Sequence, residues 1–580
     1  MSWRVKLSLA LASLLVIGAT ALMFASINMR DMVKQKGVSG AYLVANMASR
    51  ANQSELAGDF YTRALDIDPS DPDLLRAAMQ AHLMAGSIRQ AGMAAQNLVD
   101  HAPAGQQAHF LLAIVAFKEQ KIDLAVKHLD QTRPGPLTRL LEPNIRLWVA
   151  AEQGDQSEID KALEKLQSLT AFSSVSLAQA ALYFDMQGDA SRARQLYRRA
   201  ARAGGLASLG LALDYGAFLY RQGEPDKARA AYDMYYKANL PHPAIDAALE
   251  AVARQAAPPA APVFNPLVGL GKTMFGLAEA MRREGRLELA LAYARLSAYL
   301  DGENDFVTMQ TAETLAALEN HRMAADLFAA IADNSVLHRE AQIRRAEMLQ
   351  QLGASESAIS VLTGVLQNAP GHVRALVALG DIYRGDERFE EAETSYDRAI
   401  QELPEEQPLH WHVYFARGIA RERLGDWEQA EIDLLTARRL SNDEPHVLNY
   451  LGYSWIDKGM YLQEALQIIV KAVKQKPNNG FFVDSLGWAY YRLGDYNKAL
   501  FYLERATQLQ PTDPVITDHL GDALWQLGRR LEARYQWRKA LAFEPEDNVA
   551  QSINDKLLLG LRPQDKIKQK PRLPRGGTAI

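Results

Sequence analysis

Three short segments of this 580-residue chain contain residue types that carry out chemistry elsewhere. Gly269-Leu270-Gly271-Lys272-Thr273 ends like a phosphate-binding loop. Pro266 stands where that motif needs its first glycine, and no strand precedes the segment. We therefore expect a helix to begin here and predict no nucleotide site.

The other two segments are a histidine pair and a serine. In His410-Trp411-His412 the two histidines point about 200° apart on a helix and do not share a ligand. Ser454 follows a Gly-Tyr pair, but Trp455 and Ile456 replace the final glycine of a nucleophile elbow. The chain has no cysteine, which excludes a thiolate nucleophile and a thiolate zinc site. The sequence predicts no catalytic residue, metal ligand, cofactor or small-molecule substrate, and we do not expect an enzyme.

The overall charge argues against one class of partner. A net charge of -5 and a pI near 6.2 do not fit a general nucleic-acid binder, which usually has a basic stripe. The one basic run lies near the C-terminus, at residues 562–575, among prolines. We expect this tail to be disordered and solvated, and contact with an anionic membrane or an acidic partner is the alternative.

Glycines recur at a nearly constant interval in the second half of the chain. Gly418, Gly452, Gly487 and Gly521 stand 34 or 35 residues apart. The third block contains Leu486-Gly487, Tyr490, Leu493-Gly494-Asp495-Tyr496, Ala499, Ala506 and Pro511. The next block contains Gly521, Leu527-Gly528, Ala533, Ala540 and Pro545. This pattern resembles the tetratricopeptide repeat (TPR), in which each period forms one helix-turn-helix unit.

The same frame extends towards the N-terminus, with alanine often in place of glycine. The equivalent positions are Gly380, Ala346, Ala312, Ala278, Gly216, Ala181, Leu147, Ala113, Met79 and Ala45. Small residues are needed there because the two helices of a unit approach each other closely. The glycine before the second helix is expected to end the first helix. The sequence predicts about fourteen units over residues 40–550, with the N-terminal ones degenerate.

The frame fails once, between Gly216 and Ala278. We expect an extra helix at 244–255 and a semi-rigid proline-alanine hinge at 256–266. The resemblance implies an all-α fold, a TPR superhelical solenoid in two segments. The predicted boundaries are a signal peptide or signal anchor at 1–30, a degenerate array at 31–241, the extra helix and hinge at 242–266, an array with a capping helix at 267–560 and a basic disordered tail at 561–580.

The N-terminus resembles an export segment. Arg4 and Lys6 precede an uncharged, mainly apolar stretch at residues 7–27. Such a stretch can span the ~30 Å hydrocarbon core as a helix, and Ala19-Thr20-Ala21 offers a signal-peptidase site. A cleaved signal and an uncleaved inner-membrane anchor both stay open. In either case we expect the repeats in the periplasm, and the lack of cysteine excludes a lipoprotein anchor.

The resemblance to TPR arrays also implies a binding surface, because their first helices line a concave groove. The groove positions of the three C-terminal units are Asn449, Tyr453, Ile456 and Asp457, then Asp484, Trp488, Tyr491 and Arg492, then Asp518, Asp522, Trp525 and Gln526. Aromatic rings flanked by carboxylates suit an extended or helical peptide. The alternative is that Trp488, Tyr491 and Trp525 pack between helices. Chaperone-tail clamps have Lys and Asn at the positions of Asp484 and Trp488, so we do not expect a chaperone tail to bind.

Four stretches are similar to those of long bacterial envelope TPR proteins, including periplasmic adaptors of carboxyl-terminal processing proteases. They are Leu451–Trp455, Asp484–Trp488, Leu520–Asp522 and Gly528–Arg530. This similarity implies a non-enzymatic scaffold that binds proteins along its groove, with a periplasmic protease and its substrates as candidate partners. One alternative is an assembly or export factor for an exopolysaccharide. Another is a repeat-linked glycosyltransferase, although the array leaves no free block of about 150 residues for it.

Overall fold

A computed structural model describes residues 38–561, except 102–104, 134, 171, 239–241, 260–264, 303 and 404–405. The predicted export segment and the basic tail from residue 562 onward lie outside the described residues. No helix in the described part is both long and apolar enough to cross a membrane. The chain divides into two compact units at Val361 and Leu362, and each unit is considered by itself.

Thirty α-helices occupy the described residues, and all but two of them form fourteen consecutive pairs. The first six pairs are α1 (Val38–Arg50) with α2 (Ser54–Leu65), α3 (Pro72–Ala85) with α4 (Ile88–His101), α5 (Gln106–Lys118) with α6 (Ile122–Asp130), α7 (Pro136–Gln153) with α8 (Gln156–Ser168), α9 (Ser173–Met186) with α10 (Ala190–Arg202), and α11 (Leu209–Arg221) with α12 (Pro225–Ala238). An unpaired helix, α13 (Pro243–Ala253), follows.

Unit 1 continues with α14 (Pro266–Arg283) and α15 (Leu287–Asp301), α16 (Asp305–Ala317) and α17 (His321–Ala330), and α18 (His338–Gln351) with α19 (Ser355–Asn368), which crosses the unit boundary. The pairs of unit 2 are α20 (Val373–Gly385) with α21 (Phe389–Gln401), α22 (Trp411–Arg423) with α23 (Trp427–Leu440), α24 (Pro445–Asp457) with α25 (Leu462–Gln475), α26 (Gly480–Arg492) with α27 (Tyr496–Leu509), and α28 (Pro514–Gln526) with α29 (Arg530–Ala542). The last helix is α30 (Asp547–Leu559). The described residues form an all-helical TPR solenoid without strands, as the sequence predicts.

The signature glycines are small because a side chain of the second helix lies against them. A Cβ built at Gly487 would lie 2.7 Å from Cγ of Leu503, and one at Gly521 would lie 2.5 Å from Cδ1 of Trp537. The second-helix alanines Ala499 and Ala533 are fully buried at the same contacts. Close approach of the paired helices, inferred from the sequence, is thus the reason for the repeat pattern.

The turn inside each pair contains one residue with a left-handed backbone conformation, and this residue recurs in every pair. A residue with φ between +55° and +88° precedes the second helix of each pair. These residues are Asn52, Gly86, Gln120, Gly154, Gly188, Gly223, Gly285, Glu319, Gly353, Glu387, Gly425, Gly459, Gly494 and Gly528. Glycine adopts this left-handed conformation without strain and ends the first helix, as predicted. Gln120, Glu319 and Glu387 hold the same conformation at a steric cost.

In unit 1, α14 and α15 pack against first helices of the N-terminal pairs. Trp148 of α7 donates a hydrogen bond from Nε1 to Oγ1 of Thr273 at 2.9 Å, and that hydroxyl donates to Gln179 of α9 at 2.6 Å. A Cβ at Gly269 would lie 2.4 Å from the Trp148 ring. The phosphate-loop-like segment is therefore a helix that packs on tryptophan, and its glycine is needed for that contact.

Charged side chains also bind polar groups at the ends of the helices that pack together in unit 1. Glu279 of α14 accepts hydrogen bonds from the Ser208 hydroxyl at 2.5 Å and from the Leu209 amide at 2.9 Å, so it caps α11. Arg295 of α15 donates to the carbonyl of Met84 at the end of α3, and Lys118 donates to the carbonyl of Leu300. Cations at helix C-termini complement the helix dipole. The first helices α3, α7, α9 and α11 therefore pack against the chain's own helices α14 and α15, with cavities of about 440 and 590 Å³ left between them.

Other predicted boundaries compare with the structure as follows. The extra helix predicted at 244–255 is α13, and the expected capping helix is α30. The hinge predicted at 256–266 stays a prediction, because residues 260–264 lie outside the described ones. His410 is buried and its ring accepts a hydrogen bond from the Gln407 amide at 3.2 Å, while His412 is exposed on α22.

Overpacking the second-helix position tests the close contact of each pair. Ala533→Leu inserts three carbons where no space exists, and it is expected to destabilise unit 2 by about 1 to 3 kcal/mol. Ala542→Leu, at an exposed position of the same helix, is the matched control. Thermal unfolding by circular dichroism measures both variants, and equal melting temperatures would contradict the packing argument.

Relieving the left-handed strain tests the turn. Glu319→Gly is expected to stabilise unit 1 by about 0.5 to 1 kcal/mol, the steric gain exceeding the entropy that glycine loses on folding. Glu319→Ala, which keeps the Cβ, is expected to leave the melting temperature unchanged. Scanning calorimetry distinguishes the two, and a lower melting temperature for the glycine variant would refute the argument.

Candidate functional site

The predicted groove residues lie on α24, α26 and α28, the first helices of the last three pairs of unit 2. The structure brings the three sets side by side, with contacts between α24 and α26 and between α26 and α28. Their environments differ. Ile456 is fully buried and belongs to the core, whereas Asp457 is exposed and Tyr453 is half-buried. The groove assignment itself stays a prediction.

An aromatic stack forms the centre of this face. The Trp488 ring lies parallel to Tyr491 at a centroid distance of 4.6 Å and to His519 of α28 at 4.1 Å. Tyr491 is buried, and its hydroxyl accepts a hydrogen bond from Gln526 at 3.4 Å. Trp488 therefore ties α26 to α28, and replacing it with alanine would disturb packing as well as any ligand contact.

His519 of the stack forms a buried pair with Asp484. Both side chains are only 8% exposed, and the Nδ1 atom of His519 lies 3.0 Å from Oδ1 of Asp484. Burial by itself lowers the pKa of His519, but the carboxylates of Asp484, Asp518 and Asp522 together raise it more, so the pKa lies above its ordinary value. A protonated imidazole is thereby held against the carboxylate.

Asp518 and Asp522 share one lysine from the last helix. The Nζ atom of Lys556 in α30 lies 2.7 Å from Oδ2 of Asp518 and 2.9 Å from Oδ2 of Asp522. The other oxygen of Asp522 accepts a hydrogen bond from Trp537 Nε1 at 2.9 Å. Burial and the adjacent Asp518 raise the pKa of Asp522 to about 6, against the opposing effect of Lys556. These two predicted groove carboxylates are therefore already occupied.

The remaining predicted residues line the edges of the face. Arg492 donates to the Asp457 carbonyl at 3.1 Å, and its guanidinium lies 3.9 Å from the Asp457 carboxylate. Burial and the carboxylates of Asp484 and Asp457 raise the pKa of Tyr453. Trp525 is half-buried and packs against Trp537 at a centroid distance of 5.2 Å.

Four buried polar atoms on this face have no hydrogen-bond partner among the described residues. They are Oδ1 of Asn449, Nε1 of Trp488, Nε of Arg492 and Oδ1 of Asp518. A buried polar group without a partner costs about 1 to 3 kcal/mol, which makes such a cluster unusual in a folded protein. All four belong to the residues that the repeat frame places on the groove, and they present two donors and two acceptors.

Sequence reasoning missed two residues of the site, His519 and Lys556. His519 falls two places before the signature glycine, at a position that the repeat frame does not assign to the groove. Lys556 lies in the last helix, outside the repeats. The repeat periodicity gave no signal for Lys556, because only packing of α30 onto α28 brings its ammonium group to Asp518 and Asp522. The described residues contain no cluster of side chains suited to a metal ion.

Comparison with known proteins identifies the repeat. Two family models, both described as tetratricopeptide repeat, match parts of the chain, one at residues 484–513 and the other at 349–406 and 377–445. Residues 349–445 and 484–513 are therefore tetratricopeptide repeats. Proteins of this fold are typically scaffolds without catalytic activity that bind peptides or other proteins.

A relative is similar over part of the chain. A TPR repeat-containing protein of Pseudomonas aeruginosa is 30% identical over 164 residues, which are 28% of this chain and 27% of the relative. The match thus spans little more than a quarter of the relative's length.

Three crystal structures are similar over longer or shorter stretches. The APC/C hetero-tetramer Cut9-Hcn1 shares 16% identity at a TM-score of 0.38, over 92% of this chain and 99% of that chain. A TPR protein of Parabacteroides merdae shares 14% at 0.36, over 44% and 100%. YrrB, a TPR protein with an unusual peptide-binding site, shares 21% at 0.28, over 32% and 94%.

The Asp484–His519 pair gives unit 2 a pH-dependent stability. Because the pKa of His519 is raised on folding, its contribution is fully present below about pH 6.5, the ordinary pKa, and is lost as pH rises through the folded value. The melting temperature of unit 2 is expected to fall as the pH rises through the folded pKa of His519. In His519→Gln this dependence should disappear, whereas His412→Gln, at an exposed position of the same unit, should keep it. Parallel pH profiles for His519→Gln and the unaltered protein would contradict this assignment.

Proposed function

We propose that the chain is a scaffold that binds segments of other proteins in the groove formed by α24, α26 and α28. The half-buried rings of Tyr453, Trp488 and Trp525 and the exposed carboxylate of Asp457 support the proposal most strongly. These rings keep apolar surface that a partner segment can cover, and aromatic anchors contribute most of the affinity in such interfaces.

The choice of unit 2 follows from the contacts of unit 1. There, the corresponding faces of α3, α7, α9 and α11 pack against α14 and α15. In unit 2 the half-buried Tyr453 and the exposed Asp457 are predicted groove residues of α24, and the half-buried Trp488 is one of α26. A rigid aromatic ring next to a carboxylate is the composition of an anchor site in protein interfaces.

The proposed compartment is the bacterial envelope, with the repeats in the periplasm. Its support is the sequence alone, through Arg4 and Lys6 before the apolar stretch at residues 7–27. Within that compartment we propose an adaptor for a carboxyl-terminal processing protease and its substrates. The stretches that resemble such adaptors, Leu451–Trp455 and Asp484–Trp488, lie on α24 and α26, where the groove is proposed.

A photo-crosslinking experiment tests the groove. A photoreactive phenylalanine analogue at Tyr453 is expected to capture a partner from the envelope, whereas the same analogue at Phe501, an exposed position on the second helix α27, should not. Mass spectrometry identifies the captured protein. A processing protease or its substrate supports the adaptor, and capture of equal amounts from both positions would refute the groove.

Side-chain truncation measures the same surface quantitatively. Tyr453→Ala and Asp457→Ala are expected to weaken binding of the captured partner about tenfold, as anchor residues do. Glu504→Ala, an exposed acidic position on α27, is the matched control. The comparison uses surface plasmon resonance together with melting temperatures. Loss of binding only in step with loss of stability would show that these side chains act in folding.

A further inference from the structure

We propose that α30 is a displaceable cover on the C-terminal end of the groove, and that the partner segment replacing it places a lysine where Lys556 lies. The inference deepens the proposed function and rests on it, since it names the chemistry of the segment that the groove accepts and the element that competes with that segment.

The site that Lys556 occupies suits an ammonium group. The exposed side-chain fractions of Lys556, Asp518 and Asp522 are 14%, 10% and 5%. Two carboxylates at such low exposure need a cation close by, because a buried charge without a partner is strongly unfavourable. An ammonium has three donors, and two of them reach Asp518 and Asp522. The second oxygen of Asp518 still has no partner among the described residues.

The helix that delivers this lysine is held by few contacts. Ile553 is the one residue of α30 that is fully buried, while Leu558 and Leu559 are 80% and 63% exposed. By contrast, α28 buries nine residues. A terminal helix with so little buried apolar surface opens locally at a low free energy compared with the helices below it.

The cover lies on the predicted groove residues themselves. Lys556 occupies Asp518 and Asp522, and Gly560 lies so close to Trp525 that a Cβ there would be 2.4 Å from the indole. Departure of α30 therefore uncovers three groove positions of α28 at once. Next to these positions, His519 of α28 stacks on Trp488 of α26, whose indole N–H has no partner among the described residues.

Charge complementarity decides the class of the replacing segment. The face has the carboxylates of Asp457, Asp484, Asp518 and Asp522, and its own cations are Arg492 and His519. An acidic or uncharged segment in place of α30 would leave Asp518 and Asp522 buried without a counter-ion. A segment with a lysine at the matching position restores both ion pairs.

Hydrogen exchange on the full chain tests the cover without any substitution. The amides of α30 are expected to exchange at least about a hundredfold faster than those of α28, as for a locally opening element. The probe is a synthetic peptide with the sequence of residues 547–561. Its addition is expected to speed exchange in α30 of the chain and to slow exchange in α26 and α28. Equal protection of α30 and α28 would overturn the proposal.

Binding of the fluorescently labelled probe tests the lysine. In Lys556→Gln the covering helix loses its ion pairs, so the probe is expected to bind about tenfold tighter than to the unaltered chain, where the attached helix competes at high effective concentration. Lys474→Gln, at an exposed position on α25, is the control and should match the unaltered chain. A probe with Gln in place of its lysine should bind neither to the unaltered chain nor to Lys556→Gln.

The outcomes separate the inference from the proposed function. Equal affinity of the lysine and glutamine probes, or no tighter binding to Lys556→Gln with its helical content unchanged, would overturn the inference. If the analogue at Tyr453 still captures a partner in that case, the groove stands and α30 is a fixed cap. If neither experiment gives binding, the proposed function fails as well.

Discussion

The contact between the two helices of each pair is the constraint on which the rest of the structure depends. A glycine of the first helix faces a large side chain sixteen residues later, as in Gly216 with Tyr232, Gly380 with Tyr396, and Gly521 with Trp537. Distances of 2.2 to 2.6 Å from a built Cβ leave no room for any side chain at these glycines. Because this contact fixes how each pair packs, it also decides which face of the first helix is left for other partners.

The two units use that face in different ways. In unit 1 the chain's own helices pack against part of it, through Trp148 on Gly269 and through Glu279 at the start of α11, and cavities of about 440 and 590 Å³ remain between them. Helix ends are satisfied by charged side chains from these inner helices, so this face is part of the core of unit 1. In unit 2 the half-buried rings of Tyr453, Trp488 and Trp525 keep part of their surface exposed, and another chain can cover that surface.

On the face in unit 2, buried carboxylates are each paired with a cation. Asp484 has the imidazole of His519, and Asp518 with Asp522 has the ammonium of Lys556. Each pair joins two helices that are not partners in one repeat, or joins the array to α30. Ion pairs at such low exposure contribute little net stability relative to apolar packing, but removing one member is costly. They therefore favour particular neighbours, which is a property suited to selecting a partner by charge.

The sequence alone determined the helix pairs, their number and the residues at the close contacts, because a period of 34 residues and small side chains at fixed places are local signals. It also predicted Asn449, Trp488 and Asp518 as groove residues, and each of them has a buried polar atom without a partner among the described residues. Only the tertiary structure decided that α14 and α15 cover the face of unit 1, that His519 joins Asp484, and that Lys556 reaches Asp518. These contacts join residues of different elements, and their formation depends on how helices stack in space, for which periodicity holds no information.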